Sequence, residues 1–367
     1  MRFLMAGGGT GGHVIPAIAV ARELRERGHE VWFVGTERGA EARLVPAAGF
    51  ALERIRIGGL QGMGVAKKVW SLLQLLNTTI HQHGALGKRK PDAVFSMGGY
   101  VAGPPVIAAL LRKIPVVVME PNAMPGLTNR WMGKRVARAL VSFPETGKWF
   151  PEGRTELTGL PVREEFFHLP PRDGGIFTVL ITGGSQGSRT LNNAARAAWS
   201  LLKRLPQPVR LLHQTGPATA DALKSEFAAT GLAGEVSAFI DNMPAAFAQS
   251  DLVICRSGAG AVSELAAAGK PSILIPFPFA ADDHQLRNAE AMEKAGAARL
   301  YRDQHWTAER MAETIAQLME QPEELRAMAE NARALAKPGA AHRAADILEQ
   351  IARKAIDTFE NSRNNTV

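Results

Sequence analysis

A single cysteine, Cys255, stands in the 367 residues, which excludes a disulfide framework and any zinc site built on cysteine. Its setting in DLVICRSG, residues 251–258, reads as a buried strand residue rather than a nucleophile and suits a reducing compartment. No apolar run reaches the roughly 18 residues a membrane-spanning helix needs. The start, RFLMAGGG, has no basic segment, long apolar stretch or cleavage site, so no secretory signal is expected. Aromatic residues make up only 6 %, and no aromatic platform for stacked bases accompanies the positive charge, which argues against nucleic acid as a partner. A soluble, cytoplasmic, globular protein is expected, and its length suggests two domains.

The charge is unevenly divided. Residues 1–163 carry 22 Lys and Arg against 11 Asp and Glu, while the rest carry 21 against 24. The whole positive excess lies in the N-terminal half, which points to an anionic partner there: a phosphorylated substrate, an acidic lipid surface or nucleic acid.

One supersecondary unit occurs twice. RFLMAGGGTGGHVIPAIAVARELRERG, residues 2–28, and FTVLITGGSQGSRTLNNAARAAWSLLKRL, residues 177–205, each give a short apolar strand, a Gly-Gly-x-x-Gly turn and an amphipathic helix. The helical stripe is Ala17, Val20, Ala21 and Leu24 in the first copy, and Leu191, Ala195, Ala198, Leu201 and Leu202 in the second. Strand candidates between and after them are EVWFVG, AVFSMGG, VVVME, RALVSF, VRLLHQTG, VSAFI, LVICRSG and PSILIPF. Their continuous apolar character fits parallel strands covered on both faces, so two doubly wound α/β domains facing across a cleft are expected. REEFFHLPPRDGG, residues 163–175, has the charge and Pro/Gly content of an interdomain linker.

Ligands of such sheets sit beyond the carboxyl ends of the strands, and a glycine turn before a helix suits phosphate. Gly7, Gly9 and Gly12 satisfy G-x-G-x-x-G, but VWFVGTER lacks the acidic residue that a dinucleotide fold places at the end of the second strand. Neither loop ends in Lys-Ser/Thr, which argues against a P-loop. The segment CRSGAGAVSELAAAGKPSILIPFP, residues 255–278, reads as strand, glycine turn and helix, with Ser263 and Glu264 in the first helical turns. Glu264 suits either the helix dipole or a ribose diol. PFAADDHQLRNA then sets Asp282, His284, Gln285 and Asn288 on a loop entering a helix, groups that suit sugar hydroxyls.

In these segments the chain resembles the MurG family of UDP-N-acetylglucosamine transferases. GGTGGHVIPAIAVA, VFSMGGYVAGP, EPNAMPGLTNR, GLPVR, GGSQGSRTLN, FIDNM and CRSGAGAVSELAAAGKP occur in the family's order over nearly the whole chain. The resemblance implies a GT-B fold with an acceptor-binding domain over 1–163 and a UDP-GlcNAc-binding domain over 164–340. It also implies a C-terminal helix, about 341–356, packing back on the first domain. The reaction it implies is inverting transfer of N-acetylglucosamine from UDP-GlcNAc to the O4 hydroxyl of a lipid-linked MurNAc-pentapeptide, lipid I, giving lipid II for peptidoglycan synthesis. Carried over by motif, the donor contacts fall on Thr10, Gly11, Gly12, Asn122, Arg163, Ser185, Ile240, Ala259, Gly260, Ala261, Val262, Ser263, Glu264 and Gln285. Arg163 suits diphosphate charge, and Ile240 has only its backbone to offer uracil.

Such a transfer needs a base. His13, closing the first glycine turn, has a suitable pKa range, though it can equally cap the helix or bind acceptor phosphate; Glu120 is the alternative base. No Asp-x-Asp metal motif occurs and HQH at 81–83 reads as a helix face, so no cofactor is required and a divalent cation is at most stimulatory. The chain departs from the family pattern at Met119-Glu120-Pro121-Asn122, where His-Glu-Gln-Asn is usual, and at His284-Gln285, where Gln-Gln is usual.

Residues 65–90, VAKKVWSLLQLLNTTIHQHGALGKRK, combine Lys67, Lys68, Lys88, Arg89 and Lys90 with an apolar stripe of Val69, Trp70, Leu72, Leu73, Leu75 and Leu76. Arg112 and Lys113 add to the charge. This suits an interfacial helix on an anionic membrane, here the cytoplasmic face of the bacterial inner membrane, with Leu72 and Leu76 shared between that role and the core. Other cell-wall synthesis proteins are further expected partners. A soluble UDP-GlcNAc epimerase and a non-catalytic nucleotide-sugar-binding protein are the alternatives.

Overall fold

The computed structural model of the chain describes residues 1–57, 65–172 and 174–364, without the side chains of 65–72, 359, 360 and 362–364. The chain divides into two compact units, Met1–Pro161 with Gly339–Val367, and Val162–Pro338.

The first unit holds β1 (Arg2–Gly7), α1 (Gly11–Glu26), β2 (Glu30–Gly35), α2 (Glu41–Ala47), β3 (Ala51–Arg54), α3 (Val65–Arg89), β4 (Ala93–Gly98), α4 (Gly99–Leu111), β5 (Val116–Glu120), α5 (Leu127–Met132), β6 (Arg138–Val141) and β7 (Thr155–Leu157). Its strands are parallel in the order β3-β2-β1-β4-β5-β6-β7. The order reverses between β1 and β4, so the loops after these two strands open the crevice where doubly wound sheets bind ligands. β1, β4 and β5 are buried almost throughout, as continuous apolar strands in the middle of a covered sheet must be. The stripe Ala17, Val20, Ala21 and Leu24 is the buried face of α1.

The second unit repeats the plan with β8 (Phe177–Thr182), α6 (Arg189–Leu202), β9 (Val209–Gln214), α7 (Ala220–Thr230), β10 (Ala233–Ser237), α8 (Met243–Gln249), β11 (Leu252–Cys255), α9 (Ala259–Ala268), β12 (Ser272–Leu274), α10 (His284–Lys294), β13 (Ala298–Leu300), α11 (Ala308–Met319) and α12 (Pro322–Ala334). The parallel order is β10-β9-β8-β11-β12-β13, with its reversal between β8 and β11. Ser188 caps α6 by accepting the Leu191 N–H, and the helix buries Leu191, Ala195, Ala198, Trp199 and Leu202 on one core. Cys255 is buried in β11, where burial and the Glu264 charge push its thiol up to about 12 and leave it unreactive.

The last helix, α13 (Ala340–Asn364), returns to the first unit. Ala344, Ala345, Ile347, Leu348 and Ala352 form its buried stripe. Arg27, at the end of α1, donates to Asp346 at 2.7 Å and Glu349 at 3.4 Å, and His29 meets Glu349 at 2.9 Å.

Three expectations change. Residues 163–175 are not a free linker. Phe166 is fully buried with its ring 5.0 Å from that of Phe247, and Arg172 pairs with Asp251 at 2.8 Å, so the segment belongs to the second unit. The strand expected at VSAFI lies earlier, at Ala233–Ser237, because AGEVS pairs in register with Arg210–Gln214 at the sheet edge. Leu76 does not join the core: it is exposed, as are Leu73 and Ile80, while α3 turns Thr78, Thr79, Gln82 and Leu86 inward. The side chains of Lys67, Lys68, Val69, Trp70 and Leu72 lie outside the described residues. Among the described residues, no helix is long and apolar enough to cross a membrane.

Candidate functional site

In the second unit the site grows from the loops at the sheet reversal. After β8 the chain turns through Gly183–Gly187, with Gly184 and Gly187 at positive φ. A Cβ on Gly187 would overlap the Thr215 carbonyl, so only glycine lets this loop lie flush against the end of β9. Ser185 stands exposed at the loop tip. The loop after β11 runs through Arg256, Ser257 and Gly258 into α9, so Ala259, Gly260 and Ala261 form the helix's first turn, with Val262, Ser263 and Glu264 following. That turn offers N–H groups and the positive end of the helix dipole to an anion.

Glu264, on the second turn of α9, has its Oε1 3.8 Å from Arg163 Nη2. Burial pushes the Glu264 carboxyl up to about 7 against the opposing pull of Arg163. The Arg163 guanidinium also lies 5.0 Å from the centre of the Phe166 ring. A carboxylate beside a guanidinium at a helix N-terminus can bind a diol and a diphosphate side by side.

Two residues that sequence reasoning passed over hold this site together. Gln214, buried at the end of β9, accepts the Ile240 N–H at 2.9 Å. Its amide donates to Thr182 Oγ1 at 3.2 Å and to the Gly184 carbonyl at 3.0 Å. It therefore ties the turn at Ile240 to the glycine loop. Arg256 donates to the carbonyls of Ile275 and Pro276, to Asp303 at 2.5 Å and to Ser188 Oγ at 2.7 Å. Gln285 joins the same framework: its Oε1 accepts the Phe277 N–H at 3.0 Å and its carbonyl accepts the Ser257 hydroxyl at 2.7 Å. The available signal was polar residues at strand ends, Gln214 in VRLLHQTG and Arg256 in LVICRSG.

In the first unit, the loop after β1 places Thr10 just before α1 in extended conformation, with Gly11 and Gly12 as the first two helical residues and His13 as the third. His13 Nδ1 lies 3.3 Å from the Gly8 carbonyl. A carbonyl only accepts, so Nδ1 is the donor in this contact. The turn between β4 and α4 runs beside it: Gly98 and Gly99 are both at positive φ, and a Cβ on Gly99 would meet the His13 ring at 3.5 Å.

One N–H of this first loop is already taken. The Gly9 N–H donates to the Glu41 carboxylate at 2.8 Å, so the loop holds an internal anion. Glu120 changes role. It is 2 % exposed, and its two oxygens accept four hydrogen bonds, from Asn122 N at 3.0 Å, Asn122 Nδ2 at 3.1 Å, Gly126 N at 3.1 Å and Asn129 Nδ2 at 2.9 Å. Burial raises its pKa against these donors. With its acceptor positions filled, Glu120 shapes the loop carrying Asn122 and has no lone pair for an acceptor hydroxyl. Among the described residues, no group of three His, Cys, Asp or Glu side chains is placed to hold a metal ion.

Residues 3–141 match the glycosyltransferase family 28 N-terminal domain and residues 178–351 the family 28 C-terminal domain. A UDP-N-acetylglucosamine--N-acetylmuramyl-(pentapeptide) pyrophosphoryl-undecaprenol N-acetylglucosamine transferase of Solibacter usitatus is 62 % identical over 352 residues, 96 % of each chain. The transferase of the same name from Myxococcus xanthus is 42 % identical over 95 % of this chain and 92 % of its own. Among solved structures, MurG of Acinetobacter baumannii superposes with a TM-score of 0.80 at 33 % identity, covering 95 % of this chain and 99 % of that one. A UDP-GlcNAc 2-epimerase from Neisseria meningitidis, at 16 % identity and a TM-score of 0.66 over 95 % of this chain and 100 % of its own, shares the fold alone. Both domains of the family are thus matched in order on two parallel sheets of the GT-B type, and the chain belongs to glycosyltransferase family 28.

Proposed function

We propose that this protein transfers N-acetylglucosamine from UDP-GlcNAc to the MurNAc O4 hydroxyl of an undecaprenyl-diphosphate-linked pentapeptide acceptor, forming lipid II for peptidoglycan. The observation that carries this reading is the 62 % identity to the Solibacter usitatus transferase over 96 % of both chains. UDP-GlcNAc binds on the second unit. Glu264 accepts from the ribose diol, Arg163 and the first turn of α9 face the diphosphate, and Ser185 and the Gly183–Gly187 loop add donors. With its N–H held by Gln214, Ile240 reads uracil through its carbonyl, which suits the N3–H of that base. Gln285 adds to the donor contacts on the same unit.

The acceptor oxygen attacks the anomeric carbon from the face opposite UDP. The bond from that carbon to the diphosphate oxygen breaks, and the hydroxyl proton passes to His13 Nε2. UDP leaves as an anion stabilised by Arg163 and the α9 N-terminus, and the configuration at the anomeric carbon inverts. These groups supply the electrophilic assistance, so the reaction proceeds without a metal ion and survives a chelator. UDP release that requires a short-chain lipid I analogue tests the reading. Release without acceptor, or appearance of a 2-epimer, would replace it with the epimerase reading.

The exposed Leu73, Leu76 and Ile80 recur on one face of α3, with Lys88, Arg89 and Lys90 at its end. Exposed Leu111 and the basic pair Arg112 and Lys113 follow on α4, which packs against α3. This apolar stripe with a basic rim suits docking on the anionic inner leaflet, where the acceptor's lipid is anchored.

A further inference from the structure

The proposed reaction gives no task to Glu41, the first residue of α2, although its side chain is fully buried. Among the described residues only neutral donors hold its carboxylate. Oε1 accepts the Thr36 N–H at 2.8 Å and the Thr36 hydroxyl at 2.6 Å, and Oε2 accepts the Gly9 N–H at 2.8 Å. The Thr36 hydroxyl oxygen in turn accepts the Gly39 N–H at 3.2 Å. A Cβ on Gly8, Gly35 or Gly39 would overlap the Glu41 side chain, so the glycines of two loops are what make room for it. Burial alone would raise its pKa, but the Thr36 hydroxyl and the N–H groups of Thr36, Glu41 and Gly9 outweigh that and hold it below the ordinary value.

The Gly9 N–H and the Gly8 carbonyl belong to one peptide plane, and in a trans peptide they point in opposite directions. On one side that plane is gripped by Glu41; on the other its carbonyl accepts His13 Nδ1–H. Between two glycines, the plane has no side chain of its own to hold it. We propose that Glu41 is a positioning residue for the transfer: an anion built into the glycine loop that fixes the Gly8–Gly9 peptide and, through it, the orientation and the Nδ1-protonated state of the His13 ring. This rests on the reading of His13 as the base.

Glu41→Gln tests it, since a carboxamide has one acceptor oxygen where the carboxylate has two, so that the Gly9 or the Thr36 N–H loses its acceptor and the charge that grips the loop is gone. The expected result is a fall in kcat of tenfold or more with a short-chain lipid I analogue, while KM for UDP-GlcNAc stays within threefold. The His13 ring, followed by ¹⁵N NMR, should pass from Nδ1–H to a tautomer mixture, and Glu41→Asp should fall between the two. Unchanged kcat, or a loss of kcat with an unchanged His13 tautomer, overturns the proposal. Circular dichroism and thermal unfolding report whether the variant keeps its fold. Where it is lost, Thr36→Val, which removes the hydroxyl that donates to Glu41 and accepts the Gly39 N–H, is read by the same two measures. If His13→Ala keeps its turnover the base reading fails, and the tautomer measurement, which needs no turnover, still decides whether Glu41 sets the ring.

Discussion

Arg163 Nη2 stands 3.8 Å from Glu264 Oε1, too far for a tight ion pair and near enough to hold the carboxyl at the edge of ionisation, about 7, against its burial. A ribose diol binds the ionised carboxylate best. Donor binding is then linked to loss of a proton.

UDP-GlcNAc affinity should therefore fall as the pH drops below about 7, approaching tenfold per unit, and level off above it. Calorimetry between pH 6 and 8 measures this, together with proton release on binding. Glu264→Gln should bind weakly and without pH dependence; a wild-type affinity that is flat over this range contradicts the assignment.

His213 predicts a separate effect on stability. It is 1 % exposed, its Nε2 meets Asn192 Oδ1 at 3.0 Å, and burial lowers its pKa to about 4. In the unfolded chain the ring titrates near 6.5, so between the two values the unfolded state binds more protons. Stability should thus fall as the pH drops from about 6.5 to about 4, by about 3 kcal/mol from this group. Urea unfolding at pH 7 and pH 4.5 reads the slope, and His213→Gln should flatten it.

Much of this was legible in the sequence, and what was not has a common cause. The two strand–glycine–helix units, the strands β2 and β5 and the buried stripe of α1 follow from local periodicity and came out at their places. The short edge strands β3, β7 and β13 carry no apolar run to announce them. Glu41, Gln214 and Arg256 stayed hidden because their partners are remote in the chain: Gly9 is 32 residues from Glu41, Ile240 is 26 from Gln214 and Ser188 is 68 from Arg256. Glu120 misled for the opposite reason. A carboxylate beside Asn122 looks reactive in sequence, and only the fold shows all four donors upon it.

Arg256 should prove indispensable to the donor loops. Its side chain is 12 % exposed and serves four acceptors from three segments. Lysine is a point charge and cannot span them. Arg256→Lys should weaken UDP-GlcNAc at least tenfold in calorimetry while the first unit keeps its fold. Unchanged affinity would mean that the loops are held without this fork.

Docking on anionic bilayers should depend on the rim of α3. Replacing Lys88, Arg89 and Lys90 with glutamine should reduce co-sedimentation with phosphatidylglycerol vesicles several-fold, and more strongly at low salt. Turnover with a water-soluble acceptor should stay unchanged. Equal binding of the variant and the wild type would place the membrane contact elsewhere.

The most direct measurement is acceptor-dependent UDP release from UDP-GlcNAc, comparing the wild type with His13→Ala on a short-chain lipid I analogue. The account predicts release only with acceptor, a loss on the order of 10²–10⁴-fold in kcat for His13→Ala, and UDP-GlcNAc affinity within threefold of wild type. A wild type that releases no UDP with this acceptor would contradict the transferase reading, and a fully active His13→Ala would contradict the base.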